Sequence, residues 1–134
     1  MKFMLDTNIC IYAIKHKPEN VIQKFLQHDP EELCISAITY AELMHGVEKS
    51  MAVTKNHTAL SLFLSPITIL DFHASAAEEY GKIRAELEKK GTPIGPMDLL
   101  IAGHAKSERL ILVTNNTREF QRVEGLMVED WTRD

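Results

Sequence analysis

Short apolar runs at Phe3–Leu5, Leu33–Ile35, Ile67–Leu70 and Leu110–Val113 are separated by stretches patterned as helices. This alternation constrains the fold more than any other feature, because strands joined by crossover helices form a mainly parallel sheet with helices on both faces. The predicted architecture is a three-layer α/β/α sandwich. At 134 residues, with 45% hydrophobic and 25% charged side chains, the chain suits one globular domain spanning 1–134.

The helices follow from periodicity and punctuation. Ile9 to Lys15 forms a first helix, and Pro18-Glu19 opens a second carrying Val21, Ile22, Phe25 and Leu26 at helical spacing. Ser36 caps a third that runs to about Lys49, and another extends from about Thr54 to Leu64 before Pro66. His73 to Lys90 is rich in strong helix formers, and Gly91 is placed to end that helix in a left-handed turn. Pro96 starts the helix from Met97 to Lys106; Thr114 to Thr117 turn the chain into a short helix, and Met127 to Glu129 supply an edge strand.

Several function classes recede on composition. No stretch approaches the roughly 20 apolar residues that span a bilayer, and the N-terminal apolar run is cut at once by Asp6, so neither a membrane span nor a secretion signal is expected. The expected location is the cytoplasm, where Cys10 and Cys34 remain thiols in or near a core. The six histidines show no HxxxH or His/Cys zinc spacing. A net charge of −4 disfavours broad, sequence-independent binding to nucleic acid, so any such site must be local.

Parallel sheets place their sites at the carboxyl ends of the strands. Asp6 and Thr114–Asn116 both follow strands and belong to one candidate crevice. Asp6 is also positioned to cap the next helix. Asp98 lies in a first helical turn, where the macrodipole favours a carboxylate, yet it shares a stripe with Ile101, Ala102 and Ala105 and so faces protein, where a charge needs a partner. Periodicity groups Glu42 with Thr39, His45 and Lys49 on the polar side of its helix and reads it as surface. Glu119 reads as a capping acid of a short helix.

Leu-Asp-Thr-Asn at 5–8, Tyr-Ala-Glu-Leu at 40–43, Pro-x-Asp-xx-Ile-Ala at 96–102 and Thr-Asn-Asn-x-x-Glu-Phe at 114–120 occur in PIN-domain order, and the whole chain resembles a VapC toxin. The resemblance implies a metal-dependent endoribonuclease with Asp6, Glu42, Asp98 and Glu119 as catalytic acids. Asp6 and Asp98 would hold Mg2+, with Mn2+ as the substitute, which suits clustered carboxylates that otherwise repel one another. Thr7 and Thr114 would orient Asp6 or a metal-bound water. Many PIN domains carry Asp where this chain has Asn116, which puts the fourth acid on Glu119.

The segment Gly91 to Asp98 is similar to the VapC subgroup that cuts initiator tRNA in its anticodon stem-loop, so translation would be the target. A VapB-type antitoxin and a homodimer are implied as partners, with apolar side chains between Ala37 and Leu64 supplying part of the contact. Arg84 and Arg118 are the candidate RNA contacts on an otherwise acidic protein. The competing reading is a PIN-like binding module that has lost turnover; the retained acids argue against it.

Overall fold

The computed structural model describes residues 1–133. Five strands, β1 (Phe3–Leu5), β2 (Leu33–Ser36), β3 (Thr68–Leu70), β4 (Ile111–Val113) and β5 (Val128–Glu129), form one sheet in the order β3-β2-β1-β4-β5. Every pairing is parallel. The chain first builds outward from β1 through β2 to β3, then returns to the other side of β1 with β4. The strand order therefore reverses between β1 and β4, and a crevice opens above their carboxyl ends.

Side chains alternate across the sheet. Phe3, Leu5, Leu33, Ile35 and Val113 pack on one face, with α1 (Thr7–Lys15), α2 (Glu19–Leu26), α3 (Ala37–Glu48) and α4 (Val53–Leu64) supplying the cover. Met4, Cys34 and Leu112 point to the other face, beneath α5 (Ala74–Lys90), α6 (Pro96–Ser107) and α7 (Thr117–Phe120). The result is the expected α/β/α sandwich. Cys10 and Cys34 are buried thiols.

The expected elements occur, with small shifts that have local causes. Helix α1 begins at Thr7 rather than Ile9, because the Asp6 side chain accepts the Ile9 N–H and so draws the first turn up to the strand. Strand β2 runs on into Ser36, which also caps α3 by accepting the Ile38 N–H at 3.1 Å. Gly91 ends α5 with φ of 69°, the left-handed cap read from its position.

One feature of the second layer was not legible in periodicity. A Cβ at Gly103 would stand 2.8 Å from the Tyr80 backbone nitrogen, so α5 and α6 cross at a distance that only glycine permits. At the chain end, Trp131 is 1% exposed, stacks on His28 with centroids 5.0 Å apart and meets Phe3 edge-on. That tail seals the first core beside β1.

Candidate active site

Asp6 leaves the end of β1 into the crevice and is 4% exposed. Its backbone N–H donates to the Val113 carbonyl at 3.0 Å, which extends the β1–β4 ladder by one bond. Both carboxylate oxygens are engaged: Oδ1 accepts the Ile9 N–H at 2.9 Å, and Oδ2 accepts the Thr114 hydroxyl. Capping and the site position are thus satisfied together. Burial pushes the Asp6 carboxyl up to about 6; the Thr114 and Ile9 bonds oppose this, and the charges of Glu42 and Asp130 add to it.

Asp98 enters from the first turn of α6, set by Pro96 at the helix start, and is half-buried. Burial, a hydrogen bond shared with Glu119, and the charges of Glu119, Asp6 and Glu42 push it up to about 7. A carboxyl–carboxylate hydrogen bond needs one proton, and Asp98 is the group raised to hold it. Glu119 is itself steadied by Asn116, whose Nδ2 donates to Oε2 at 2.6 Å. Where many PIN domains have a further acid, Asn116 thus provides a neutral donor.

Glu42 departs from the reading of periodicity. It is half-buried, its Oε1 accepts the Thr7 hydroxyl at 2.6 Å, and its supposed polar companion Thr39 is fully buried. Helix α3 packs against α1, α4 and α6 as well as β2, so it has no single solvent face of the kind a helical wheel assumes. Thr7 and Thr114 also divide their work: Thr114 holds Asp6, whereas Thr7 holds Glu42. Thr114 Oγ1 further accepts the Asn116 N–H at 3.0 Å, tying the β4 exit to the loop that carries Glu119.

Asp130 was missed by the sequence reading. It follows β5 directly, and its charge bears on Asp6. The signal was available, since any acid immediately after a parallel strand lies at the same sheet edge. Of the candidate RNA contacts, Arg118 is exposed on α7 next to Glu119. Arg84 lies on α5, donates to Tyr80 Oη at 2.8 Å, and lines a cleft with Pro93, Pro96 and Leu99 below the loop leading to Asp98.

Among the described residues, no Lys or Arg pairs with Asp6, Glu42, Asp98 or Glu119. Four carboxylates without a cationic side chain, two of them raised toward neutrality, are an oxygen donor set suited to a hard divalent cation. The acids border a space rather than meet at one point. Among the described residues, the three ligand atoms that lie within 4.8 Å of one another belong to a different set, His73, His104 and Glu108.

An acidic crevice at the switch point of a parallel α/β/α sheet is the arrangement of a PIN domain. A family model described as PIN domain matches residues 3–126, and the chain belongs to the PIN-domain family, in its VapC group. It is 52% identical over 132 residues to the tRNA(fMet)-specific endonuclease VapC of Shigella flexneri, covering 98% of this chain and 99% of that protein. The crystal structure of DNA-bound VapBC from Salmonella typhimurium matches with a TM-score of 0.92 at 50% identity, covering 98% of each chain. VapBC2 of Rickettsia felis bound to a promoter DNA fragment matches with a TM-score of 0.90 at 45% identity, over 98% of this chain and 99% of that one.

Proposed function

We propose that this chain is a toxic, site-specific endoribonuclease that hydrolyses RNA phosphodiesters with a divalent metal ion, Mg2+ or in its place Mn2+, held by Asp6 and Asp98. The observation that carries this reading is the gathering of four carboxylates, none of them paired with a Lys or Arg among the described residues, around the crevice between β1 and β4. When bound, a divalent ion lowers the pKa of a coordinated water and offsets charge on the phosphate and the leaving oxygen.

The protein's own groups divide the remaining tasks. Asp6 is locked by Thr114 and the Ile9 N–H, so its oxygens are fixed before substrate arrives. Asp98 would have to release the proton it shares with Glu119 to serve as a metal ligand, so ligand binding and loss of a proton would be linked. Glu42 and Glu119, steadied by Thr7 and Asn116, are the carboxylates available to take the proton of the attacking water. No covalent enzyme intermediate is required.

The substrate reading is initiator tRNA, cut in the anticodon stem-loop so that translation stops. It rests on relatives that carry the name tRNA(fMet)-specific endonuclease and on the Gly91 to Asp98 segment. Exposed Arg118 and Arg84 supply local positive charge for phosphates on a protein whose total is negative. The location is the cytoplasm, where tRNA is; among the described residues no helix is long and apolar enough to cross a membrane.

A VapB-type antitoxin is the neutralising partner, by likeness to VapBC complexes. A groove of about 330 Å³ between α1, α3 and α4, lined by Ile11, Ile14, Leu43, Val47, Leu60 and Glu42, offers an apolar seat that reaches the acidic site. Exposed Tyr40, Met51 and Leu62 on and between α3 and α4 supply apolar surface for a homodimer.

The test is cleavage of initiator tRNA and of other structured RNAs by wild type, Asp6→Asn and Asp98→Asn, with Mg2+ and with a chelator. Wild type is expected to cut initiator tRNA at one position in the anticodon stem-loop, only with metal, and folded variants are expected to be inactive. Cleavage by Asp98→Asn at near wild-type rate would overturn the metal assignment. Indiscriminate cutting of all the RNAs would overturn the substrate.

A further inference from the structure

Away from the acidic crevice, His104 is buried with a polar atom that no described residue satisfies. Its side chain projects from α6, is 0% exposed, and its Nδ1 lies 2.8 Å from the Ser36 hydroxyl. The other ring nitrogen, Nε2, is buried and has no hydrogen-bond partner among the described residues. Buried polar atoms are seldom left so. His73, at the start of α5, and Glu108, at the end of α6, stand beside it, and one ligand atom from each of the three lies within 4.8 Å of the others.

We propose that His73, His104 and Glu108 form a second metal site, which binds Zn2+ and braces the start of α5 against the end of α6. Two borderline imidazoles joined by one carboxylate suit zinc, whereas the all-carboxylate crevice suits Mg2+. In the tautomer with Nδ1 protonated, His104 donates to Ser36 Oγ and presents the Nε2 lone pair as a ligand, the second-shell arrangement usual for a metal-bound histidine. Ser36 is also the cap of α3, so the brace reaches the helix that carries Glu42.

His73 Nε2 and Glu108 Oε1 are 2.5 Å apart and bonded to each other; a cation held between them would displace the shared proton to solvent, leaving a neutral imidazole protonated on Nδ1 and a carboxylate. Ligands about 2.0–2.1 Å from zinc in a tetrahedron stand roughly 3.3 Å apart, so closure takes a movement of roughly 1–2 Å. The side chains of His73 and Glu108 are 43% and 33% exposed and free to make it, while His104 stays fixed. Water supplies the fourth ligand. The site is separate from the acidic one: the six-residue step along α6 from Asp98 to His104 is about 9 Å of helix.

The set escapes a motif search because His104 and Glu108 close the last turn of α6 while His73 is the N-cap of α5, a whole helix earlier in the chain. Phe72 packs beside the same ring, edge-on with centroids 5.4 Å apart.

The test uses metal-stripped protein in the Asp98→Asn background, which weakens the acidic site, titrated with Zn2+ against a competing chelator and with Co2+ as a spectroscopic probe. One Zn2+ per chain is expected, with a rise in Tm of roughly 5 °C at saturation, and visible absorption typical of four-coordinate Co2+. His73→Ala and Glu108→Gln in that background should each weaken Zn2+ binding at least about tenfold and abolish the Co2+ spectrum, with metal-free Tm changed only slightly by loss of one exposed pair. In an otherwise wild-type chain His73→Ala should cut RNA with Mg2+ as before. Zn2+ affinity indifferent to both substitutions, or no Zn2+ bound in the Asp98→Asn background, overturns the proposal.

Discussion

Thr114 and Asp6, 108 positions apart in the chain, are joined by a hydrogen bond from the threonine hydroxyl to Oδ2 of the carboxylate. The bond spans the gap between β1 and β4, where the order of strands reverses, and it is fully buried. The same hydroxyl oxygen accepts the Asn116 N–H. One side chain thus fixes a candidate metal ligand and the turn leading to Glu119.

Thr114→Val keeps the shape and removes both bonds. Metal affinity or activity is expected to fall about 10- to 100-fold, and stability by about 1–3 kcal/mol because the Asn116 N–H loses its acceptor. Calorimetric Mg2+ titration and urea unfolding measure the two effects separately. Wild-type metal affinity in the variant would show that Thr114 serves only the turn.

Asp98→Asn preserves volume and removes one charge from the cluster. RNA cleavage is expected to fall by about a hundredfold or more, while metal-free Tm at pH 8 is unchanged or higher, since carboxylate repulsion is relieved. Added Mg2+ should raise Tm less than in wild type. A lower metal-free Tm with activity reduced only in proportion to unfolding would instead make Asp98 a structural cap.

The two raised acids give the metal-free protein a defined pH dependence. Folding moves Asp6 from 3.8 up to about 6 and Asp98 from 3.8 up to about 7, so the folded state binds the more protons between those values. Their stabilising contribution is complete below about pH 4 and is lost as pH rises through about 6 to 7. In chelator, the stability of wild type relative to Asp98→Asn should therefore decline across that window and level off above it. Thermal melts from pH 4 to 8 check this, and a gap that widens in the opposite sense would contradict the burial of Asp98.

Gly103→Ala places a methyl group 2.8 Å from the Tyr80 backbone nitrogen. Because the obstacle is backbone, α5 and α6 must separate, and a loss of about 1–3 kcal/mol or more is expected. Denaturant unfolding measures it. The same substitution at Gly81, where a Cβ meets nothing within 4 Å, should be neutral or stabilising and serves as the control.

Much of the architecture was present in linear order. The alternation of apolar runs with helical stretches, the turn chemistry at Asp6-Thr7-Asn8, the Pro96 start and the Gly91 stop are local properties, and local properties survive folding. Asp98 was legible too, because one helix's wheel shows which of its own side chains face protein. The same tool misplaced Glu42, since a wheel assumes one neighbour and α3 has several. Asp130 beside Asp6, the Gly103–Tyr80 crossing, and the meeting of His73 with His104 and Glu108 were decided only by the tertiary structure. Each depends on which strands lie side by side and how closely two helices cross. Periodicity sets the faces of an element, but distances between elements come from packing all of them around one sheet.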